Sequence, residues 1–213
     1  MSADKRTRRD EQRRRLGQNF LRPDLADELV AGAAFAAGDH VIEIGAGRGA
    51  LTYALARRGV RVVALEKDPH WAASLRHDVR RRALDHIRVV CCDALDYPMP
   101  RRPFRIVGSL PFGATTAILR HLLDDPDSAL VRADLIVQWE VARKRAVMPP
   151  STLLSATWAP WWTFDIGRRI PAASFRPMPS VDAAMLRVSR RNPPILPPQM
   201  AGPYASFVRS QWQ

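Results

Sequence analysis

Cysteine is scarce in this chain of 213 residues, and its two copies, Cys91 and Cys92, are adjacent. Two neighbouring cysteines in an apolar run support neither a disulfide framework nor a set of metal ligands, so we expect two buried thiols and no metal ion. The sequence also lacks an apolar run of about 18 residues that could span a membrane, and no apolar segment follows the charges at its start. We therefore expect a cytoplasmic protein that does not enter a membrane.

Acidic residues are outnumbered, since 21 Asp and Glu stand against 33 Lys and Arg and leave a net charge of +12. Arginine is far commoner than lysine, and guanidinium groups pair with phosphates through two hydrogen bonds. This composition favours a nucleic-acid partner over a membrane surface. Residues 1–15 form a basic arm in which Arg13, Arg14 and Arg15 are candidate RNA contacts. The alternative is a solvated, disordered tail.

Short apolar runs alternate with polar, helix-like stretches from Val41–Ile44 to Ala183–Val188, and one of them is the Trp-rich run Ala156–Phe164. Such alternation is typical of a parallel sheet with crossover helices. We predict an α/β fold with a seven-stranded, mostly parallel, Rossmann-like sheet flanked by helices, within residues 16–190. The many prolines of residues 191–213 predict a linker and the stub of a further helical domain.

A glycine-rich turn, Glu43-Ile-Gly45-Ala-Gly47-Arg-Gly49, follows a predicted strand. Glycine permits a tight turn and lets a ligand approach the backbone and the N-terminus of the next helix. Glu66 stands 21 positions after Gly45, at the end of the next strand, where a carboxylate can accept hydrogen bonds from two ribose hydroxyls. Gly45, Gly47 and Glu66 are therefore candidate cofactor contacts. The alternative is an ordinary tight turn with a surface Glu.

A second acid, Asp93, follows the third predicted strand, where it can accept a hydrogen bond from the adenine amine of a cofactor. Lys67 and Ala94, which follow Glu66 and Asp93 in sequence, complete the predicted contacts at these strand ends. The glycine pattern GxGxG differs from the GxGxxG pattern that binds the pyrophosphate of NAD. The spacing therefore favours S-adenosylmethionine as the cofactor. For Asp93 the alternative is a cap for the following turn.

The segment Ser109-Leu110-Pro111-Phe112 resembles the Asn/Asp/Ser-x-Pro-Tyr/Phe motif of adenine-N6 methyltransferases. The resemblance implies that Ser109 and the Leu110 carbonyl bind the amine of the target adenine, a poor nucleophile because its lone pair is delocalised into the ring. Pro111 would fix the turn, and Phe112 would stack on a flipped-out base. Ser109 also counts as a cofactor contact. The alternative is a plain Pro-Phe turn packed in the core.

Three further segments are similar to one branch of these enzymes, the Erm and KsgA-type rRNA adenine methyltransferases. Residues 16–21 resemble the N-terminal motif of that family, residues 138–145 its segment after the fifth strand, and residues 175–182 a late loop. The motifs follow the family's order from about residue 13 to residue 190. The resemblance implies an S-adenosylmethionine-dependent enzyme with the class I methyltransferase fold.

The same resemblance assigns roles to single residues. Asn19 and Leu21 would contact the methionine end of the cofactor, and Phe175 would face the target base from the side opposite Phe112. Predicted phosphate contacts, whose affinity would fall as salt rises, are Arg143, Lys144, Arg145 and Arg176.

Within the family, the sequence is most similar to the actinomycete Erm proteins, which methylate one adenine of 23S rRNA and so block macrolide, lincosamide and streptogramin B antibiotics. The alternatives are a KsgA-type 16S rRNA dimethyltransferase and a non-catalytic RNA- or DNA-binding relative, while an NAD-dependent dehydrogenase is disfavoured. Most members have Asn where Ser109 stands, which leaves both mono- and dimethylation open. A C-terminal helical domain normally follows position 190, where about twenty residues remain. We expect a monomer with little or no such domain.

Overall fold

Nine strands form two sheets in the computed structural model, which describes residues 19–212. The strands are β1 (Phe20–Leu21), β2 (His40–Ile44), β3 (Arg61–Glu66), β4 (Ile87–Cys91), β5 (Phe104–Ser109), β6 (Leu130–Gln138), β7 (Trp162–Ile170), β8 (Phe175–Arg176) and β9 (Ala183–Arg190). The main sheet has the order β4-β3-β2-β5-β6-β9-β7. Its first five strands are parallel, and β9 runs antiparallel to both β6 and β7. The predicted seven-stranded, mostly parallel α/β fold is confirmed.

Helices cover both faces of the main sheet. They are α1 (Pro23–Gly32), α2 (Ala50–Ala56), α3 (Pro69–Arg81), α4 (Thr115–Leu123), α5 (Trp139–Ala146), α6 (Leu153–Trp158) and α7 (Ala201–Gln211). The first three pack their apolar residues into a core on one face, and the last four contribute to a core on the other. Among residues 19–212, no helix is long and apolar enough to cross a membrane.

Capping residues explain where two of the helices begin. Helix α3 follows Asp68, whose side chain accepts a hydrogen bond from the His70 N–H, and Pro69 occupies the first helical position. Helix α6 follows Thr152, whose hydroxyl oxygen accepts from the Ser155 N–H at 3.2 Å. The predicted strand Ala156–Phe164 was wrong in its first half, because this cap starts a helix that continues to Trp158.

The two thiols differ from the prediction of buried cysteines. Cys91 is exposed and Cys92 is half-buried. The cause is the position of β4, which pairs only with β3 and therefore forms one edge of the sheet. A side chain at the end of an edge strand has no neighbouring strand to cover it.

The proline-rich segment ends in a helix rather than in irregular chain alone. Helix α7 spans Ala201–Gln211, and Pro203 lies in its first turn, where the missing N–H would have no partner in the helix. Tyr204 holds α7 to the domain: its ring lies edge-on to Trp161 with centroids 5.9 Å apart, and its hydroxyl donates to the Ala156 carbonyl at 3.3 Å. That these residues are the stub of a further helical domain stays a prediction.

A two-stranded ribbon connects segments from opposite ends of the described chain. In the antiparallel ribbon formed by β1 and β8, Phe20 pairs with Arg176 and Leu21 pairs with Phe175. The Arg22 N–H extends the contact by donating to the Ser174 carbonyl at 3.1 Å. The ribbon therefore brings the N-terminal motif against the late loop.

Candidate active site

One cavity lies at the carboxyl edge of the parallel strands, where the strand order reverses between β2 and β5. Ligands of open α/β sheets bind at such a reversal. Every predicted cofactor and acceptor residue except Asp93 lines this cavity. The residues that the structure brings together in this way are Asn19, Leu21, Gly45, Gly47, Glu66, Lys67, Ala94, Ser109, Leu110, Pro111, Phe112 and Phe175.

The glycine turn allows close approach at two positions. Gly45 has a φ of +76°, and a Cβ atom there would lie 3.1 Å from the Ser109 carbonyl oxygen. Gly47 has a φ of +52°, and a Cβ atom there would lie 3.0 Å from the Phe20 ring. Side chains would therefore be strained and crowded at both positions. The turn brings the ends of β2 and β5 together and leaves its backbone facing the cavity.

Glu66 stands at the end of β3 and organises the turn. Its Oε2 atom accepts from the Gly47 N–H at 2.7 Å, and its Oε1 atom accepts from the Asp68 N–H at 2.8 Å. Burial raises the pKa of this carboxyl above its usual range, and these backbone hydrogen bonds oppose that shift. Because each carboxylate oxygen has two lone pairs, Glu66 can still accept hydrogen bonds from two ribose hydroxyls.

Glu43 is a functional candidate that the sequence pattern did not single out. Its side chain lies in β2, is 1% exposed and lines the cavity. Its Oε2 atom accepts from the Thr52 hydroxyl at 2.6 Å, while its buried Oε1 atom has no hydrogen-bond partner among the described residues. Burial raises the pKa of Glu43 to about 7. A buried carboxyl with an unpaired oxygen fits the ammonium group of an amino-acid-bearing cofactor such as S-adenosylmethionine.

Asp93 does not line the cavity, although its neighbours Cys92 and Ala94 do. Its Oδ2 atom accepts from the Lys67 ammonium at 2.6 Å, and its Oδ1 atom accepts from the Leu95 N–H at 3.1 Å. These contacts, led by the Lys67 hydrogen bond, hold the pKa of Asp93 below its usual range. The carboxylate is therefore engaged in a turn cap and an ion pair, which is the alternative role considered for it. Ala94 and Cys92 line the cavity at this strand end, and a hydrogen bond from the cofactor's adenine amine to Asp93 stays a prediction.

The segment from Ser109 to Phe112 leaves β5 and crosses the floor of the cavity. The Leu110 N–H donates to the Ile136 carbonyl at 3.0 Å, which fixes the segment to β6. The Pro111 carbonyl accepts from the Ala114 N–H at 2.9 Å and closes a turn. Among the described residues, no backbone N–H donates to the Leu110 carbonyl. That oxygen remains available for an external donor.

Two aromatic rings reach the cavity from different elements. Phe112 is half-buried in the turn after β5, and Phe175 comes from β8. Phe175 is only 1% exposed because it packs into the core beside its ribbon partner Leu21. A ligand can therefore reach Phe175 only from inside the cavity.

The predicted phosphate contacts separate into two groups. Arg143 and Lys144 are exposed on α5, and Arg176 is exposed on β8. Arg145 differs, because its guanidinium donates to the Thr152 hydroxyl at 2.7 Å and lies 5.5 Å from the centre of the Trp158 ring. Arg145 is half-buried and engaged by these internal contacts, and its predicted phosphate contact stays a prediction. The predicted contacts Arg13, Arg14 and Arg15 lie outside the described residues.

An aromatic cluster closes one side of the cavity and was not foreseen from the sequence. Arg48, which follows Gly47 in the turn, places its guanidinium 4.8 Å from the centres of both the Phe20 and Trp71 rings. The two rings are themselves edge-to-face at 5.0 Å. The cluster joins β1, the glycine turn and α3, so it holds the N-terminal motif beside the cofactor residues.

Known proteins are similar to this chain in sequence and in fold. The family model described as ribosomal RNA adenine dimethylase matches residues 9–212. An rRNA adenine N-6-methyltransferase of Corynebacterium diphtheriae is 39% identical over 194 residues, which cover 91% of this chain and 75% of that protein. The mycinamicin-resistance protein MyrB of Micromonospora griseorubida is 39% identical over 198 residues, which cover 92% of this chain and 62% of MyrB.

A relative from the 16S branch and a solved structure extend the comparison. A ribosomal RNA small subunit methyltransferase A of Acidithiobacillus ferrooxidans is 32% identical over 213 residues, which cover 94% of this chain and 77% of that protein. The crystal structure of the 23S rRNA methyltransferase ErmE superposes with a TM-score of 0.80 at 33% identity, covering 90% of this chain and 78% of the ErmE chain. Some curated relatives are much longer, and the chain spans as little as 53% of one from Saccharopolyspora erythraea. From its sequence and its fold, this chain belongs to the ribosomal RNA adenine dimethylase family.

Proposed function

We propose that this chain transfers a methyl group from S-adenosylmethionine to the N6 amine of an adenine in 23S rRNA. The observation that carries the proposal is that Ser109 to Phe112 line the same cavity as Glu43, Glu66 and the glycine turn. A cofactor held by the carboxylates and an adenine held by the tetrapeptide would meet inside one cavity. Six curated relatives with 37–39% identity, named as rRNA methyltransferases or as a macrolide-resistance protein, support the assignment.

The residues of the cavity divide the work between the two ligands. Glu43 would bind the cofactor's ammonium group, Glu66 its ribose hydroxyls, and the backbone of the glycine turn would contact its amino-acid end. When bound, S-adenosylmethionine supplies an electrophilic methyl group. The contacts of Glu43, Glu66 and the glycine turn would orient that methyl group towards the end of β5.

The acceptor side prepares the amine for attack. The Leu110 carbonyl and the Ser109 hydroxyl would each accept one N–H of the adenine amine. Accepting both hydrogens draws the nitrogen lone pair out of conjugation with the ring. Phe112 and Phe175 would enclose the flipped-out base, and an aromatic face stabilises the positive charge that develops on nitrogen. Enclosure by the two rings also keeps water away from the reacting atoms.

We infer a target in 23S rather than 16S rRNA because the solved 23S rRNA methyltransferase ErmE has the same fold at 33% identity. Relatives named rRNA adenine N-6-methyltransferase are also 37–39% identical, against 32% for those named ribosomal RNA small subunit methyltransferase A. Methylation of 23S rRNA would give resistance to macrolide, lincosamide and streptogramin B antibiotics. Function as a monomer in the cytoplasm stays a prediction. The number of methyl groups added to the target amine is equally a prediction to be tested.

The experiment is a direct comparison of the two substrates. The purified chain is incubated with tritiated S-adenosylmethionine and with deproteinised 23S or 16S rRNA, and the modified position is mapped by primer extension. We expect label in 23S rRNA at one adenine. Two methyl groups on its N6 block pairing and stop primer extension, whereas one does not, and nuclease digestion with mass analysis counts the methyl groups. Label confined to 16S rRNA would support the KsgA-type alternative, and absence of label with bound cofactor would contradict the proposal.

A further inference from the structure

Most arginines in the described part of the chain have partners inside the protein. Six do not: within residues 19–212 their side chains make no hydrogen bond, ion pair or ring contact. These six are Arg58, Arg61, Arg80, Arg88, Arg101 and Arg102.

The six unpaired arginines share one location in the fold. Each lies in the last turn of a helix, in a loop that leads into a strand, or within the first two residues of a strand. In a parallel α/β sheet these positions meet at the amino edge, because each crossover helix returns the chain to the edge where the next strand starts. Within residues 19–212, the arginines without an internal partner are therefore concentrated on the edge opposite the candidate active site.

Three of these arginines line a second cavity at the amino edge. Arg61 begins β3, Arg88 is the second residue of β4, and Arg102 precedes β5. His40 and His86 also line this cavity, and Asp85 is its one acidic lining residue among those described. The His86 Nε2 atom is buried and has no hydrogen-bond partner in the described chain. The cavity therefore presents three guanidinium groups against one carboxylate.

We propose that this cavity binds the phosphodiester backbone of RNA, as a second contact remote from the site of methylation. Guanidinium groups bind phosphate oxygens through paired hydrogen bonds, and a phosphate chain is the ligand that three free arginines around a concave surface complement. The inference rests on the proposed function only in naming RNA as the polyanion. It adds that the RNA extends around the domain rather than ending at the cleft.

The fold sets the length of RNA that both contacts require. Strands β2 to β4 have five or six residues, so the two edges of the sheet lie about 15–20 Å apart at roughly 3.3 Å per residue. A short hairpin around the target adenine would fill the cleft without reaching the amino edge. A long fragment of 23S rRNA would reach both.

The test compares two triple variants that remove the same charge. Arg61→Ala/Arg88→Ala/Arg102→Ala removes the three guanidinium groups of the cavity. Arg120→Ala/Arg168→Ala/Arg209→Ala removes three exposed arginines, on α4, β7 and α7, each of which has a partner inside the protein. Filter binding measures the affinity of each variant for a long 23S rRNA fragment and for a hairpin of about 15 nucleotides, across a series of salt concentrations. Calorimetry with S-adenosylmethionine and a thermal melt check that each variant is folded.

We expect the cavity variant to bind the long fragment at least about tenfold more weakly than the control variant at physiological salt, with equal affinity for the hairpin. The slope of log affinity against log salt should become shallower by about two to three, because three phosphate contacts are lost and each removes slightly less than one counterion from the slope. Arg61→Lys/Arg88→Lys/Arg102→Lys should restore most of the slope.

Affinities for the long fragment that match those of the control variant would overturn the inference. Binding of inorganic pyrophosphate to the wild type at one site, with unchanged RNA affinity in the cavity variant, would do the same and assign the cavity to a small anion. The binding measurement needs no methyl transfer. A failure to methylate rRNA would therefore contradict the proposed function, but the comparison of RNA affinities would still test whether the cavity binds RNA.

Discussion

The guanidinium of Arg48 lies 4.8 Å from the centre of the Phe20 ring and the same distance from the centre of the Trp71 ring. This contact joins the glycine turn, which lines the cofactor side of the cavity, to the strand that covers it. A cation over an aromatic ring is stabilised by about 0.5–1 kcal/mol per ring at an exposed site, and Arg48 is exposed. The cluster therefore stabilises the position of β1 over the cavity.

Arg48→Ala should weaken cofactor binding while leaving the methyl-transfer step largely intact. Loss of two ring contacts corresponds to an increase in the KM for S-adenosylmethionine of about 5- to 30-fold, with kcat changed by less than a factor of about three. Hydrogen exchange at the Phe20 and Leu21 amides should accelerate. Arg82→Ala removes a guanidinium that lies 4.7 Å from the Tyr53 ring, outside the cavity lining, and serves as the control. Equal effects of the two variants would contradict a role in covering the cavity.

Glu43 should make the cofactor-free protein less stable as pH rises. Its pKa is about 7 in the folded state against an ordinary value of 4.5 for a solvated glutamate, because burial disfavours the charged form. The stabilising proton is fully bound below about pH 4.5 and is lost as pH rises through about 7. At about 1.4 kcal/mol per pKa unit, the loss amounts to at most about 3.5 kcal/mol of unfolding free energy.

Urea unfolding of the wild type and of Glu43→Gln between pH 5 and pH 8 isolates this contribution. As pH rises, the unfolding free energy of the wild type should fall relative to that of Glu43→Gln. Glu140→Gln changes an exposed residue, and its unfolding free energy should follow that of the wild type. Saturating S-adenosylmethionine should reduce the shift, because an ammonium group would pair with the charged carboxylate. A pH-independent difference would mean that Glu43 does not lose a stabilising proton in this range.

Glu66 and Asp93 should respond differently to loss of charge. Glu66→Gln should raise the dissociation constant of S-adenosylmethionine by about 10- to 100-fold, since hydrogen bonds to a charged acceptor contribute about 1.5–3 kcal/mol. Asp93→Asn should raise it by less than about threefold, because the Asp93 carboxylate is bound to Lys67 and does not line the cavity. Isothermal calorimetry measures both. A larger effect at Asp93 would reverse the assignment of the two acids.

Phe112→Ala should lower kcat by about 100-fold or more and leave the cofactor dissociation constant within about threefold of the wild type. The reason is that the ring contacts the acceptor base and not the cofactor. Phe112→Tyr should retain most of the activity, because it keeps the aromatic face. Phe35→Ala, another half-buried ring packed against the same core, controls for lost packing. An unchanged kcat in Phe112→Ala would contradict the stacking role.

Arg143 and Arg145 are two positions apart and should fail in different ways. Arg143→Ala should reduce the salt dependence of rRNA binding by about one counterion without lowering the melting temperature. Arg145→Ala should lower the melting temperature by several degrees, because it leaves Thr152 and Trp158 without their guanidinium contact. Melting curves and salt titrations of the two variants distinguish a phosphate contact from an internal one.

The parallel sheet and the lining of the cavity could be predicted because they depend on local patterns. Apolar runs define β2 to β6, and functional residues at the carboxyl ends of parallel strands meet at one edge. Pairing between distant segments leaves no such pattern, so the ribbon of β1 and β8 was not anticipated. The internal contacts of Arg145 and Asp93 were not anticipated for the same reason. The sequence of a motif does not show whether a charged side chain contacts RNA or another side chain such as Trp158 or Lys67.

The ribbon that pairs Leu21 with Phe175 also determines the stage of synthesis at which the chain can bind S-adenosylmethionine tightly. A nascent chain that has released only β2 to β6 from the ribosome holds the glycine turn and the tetrapeptide, but it has no β8 to hold β1 over them. Affinity for S-adenosylmethionine should therefore rise late in translation, when Phe175 emerges and the enclosure closes. Tight binding of S-adenosylmethionine would therefore indicate that β8 has paired with β1.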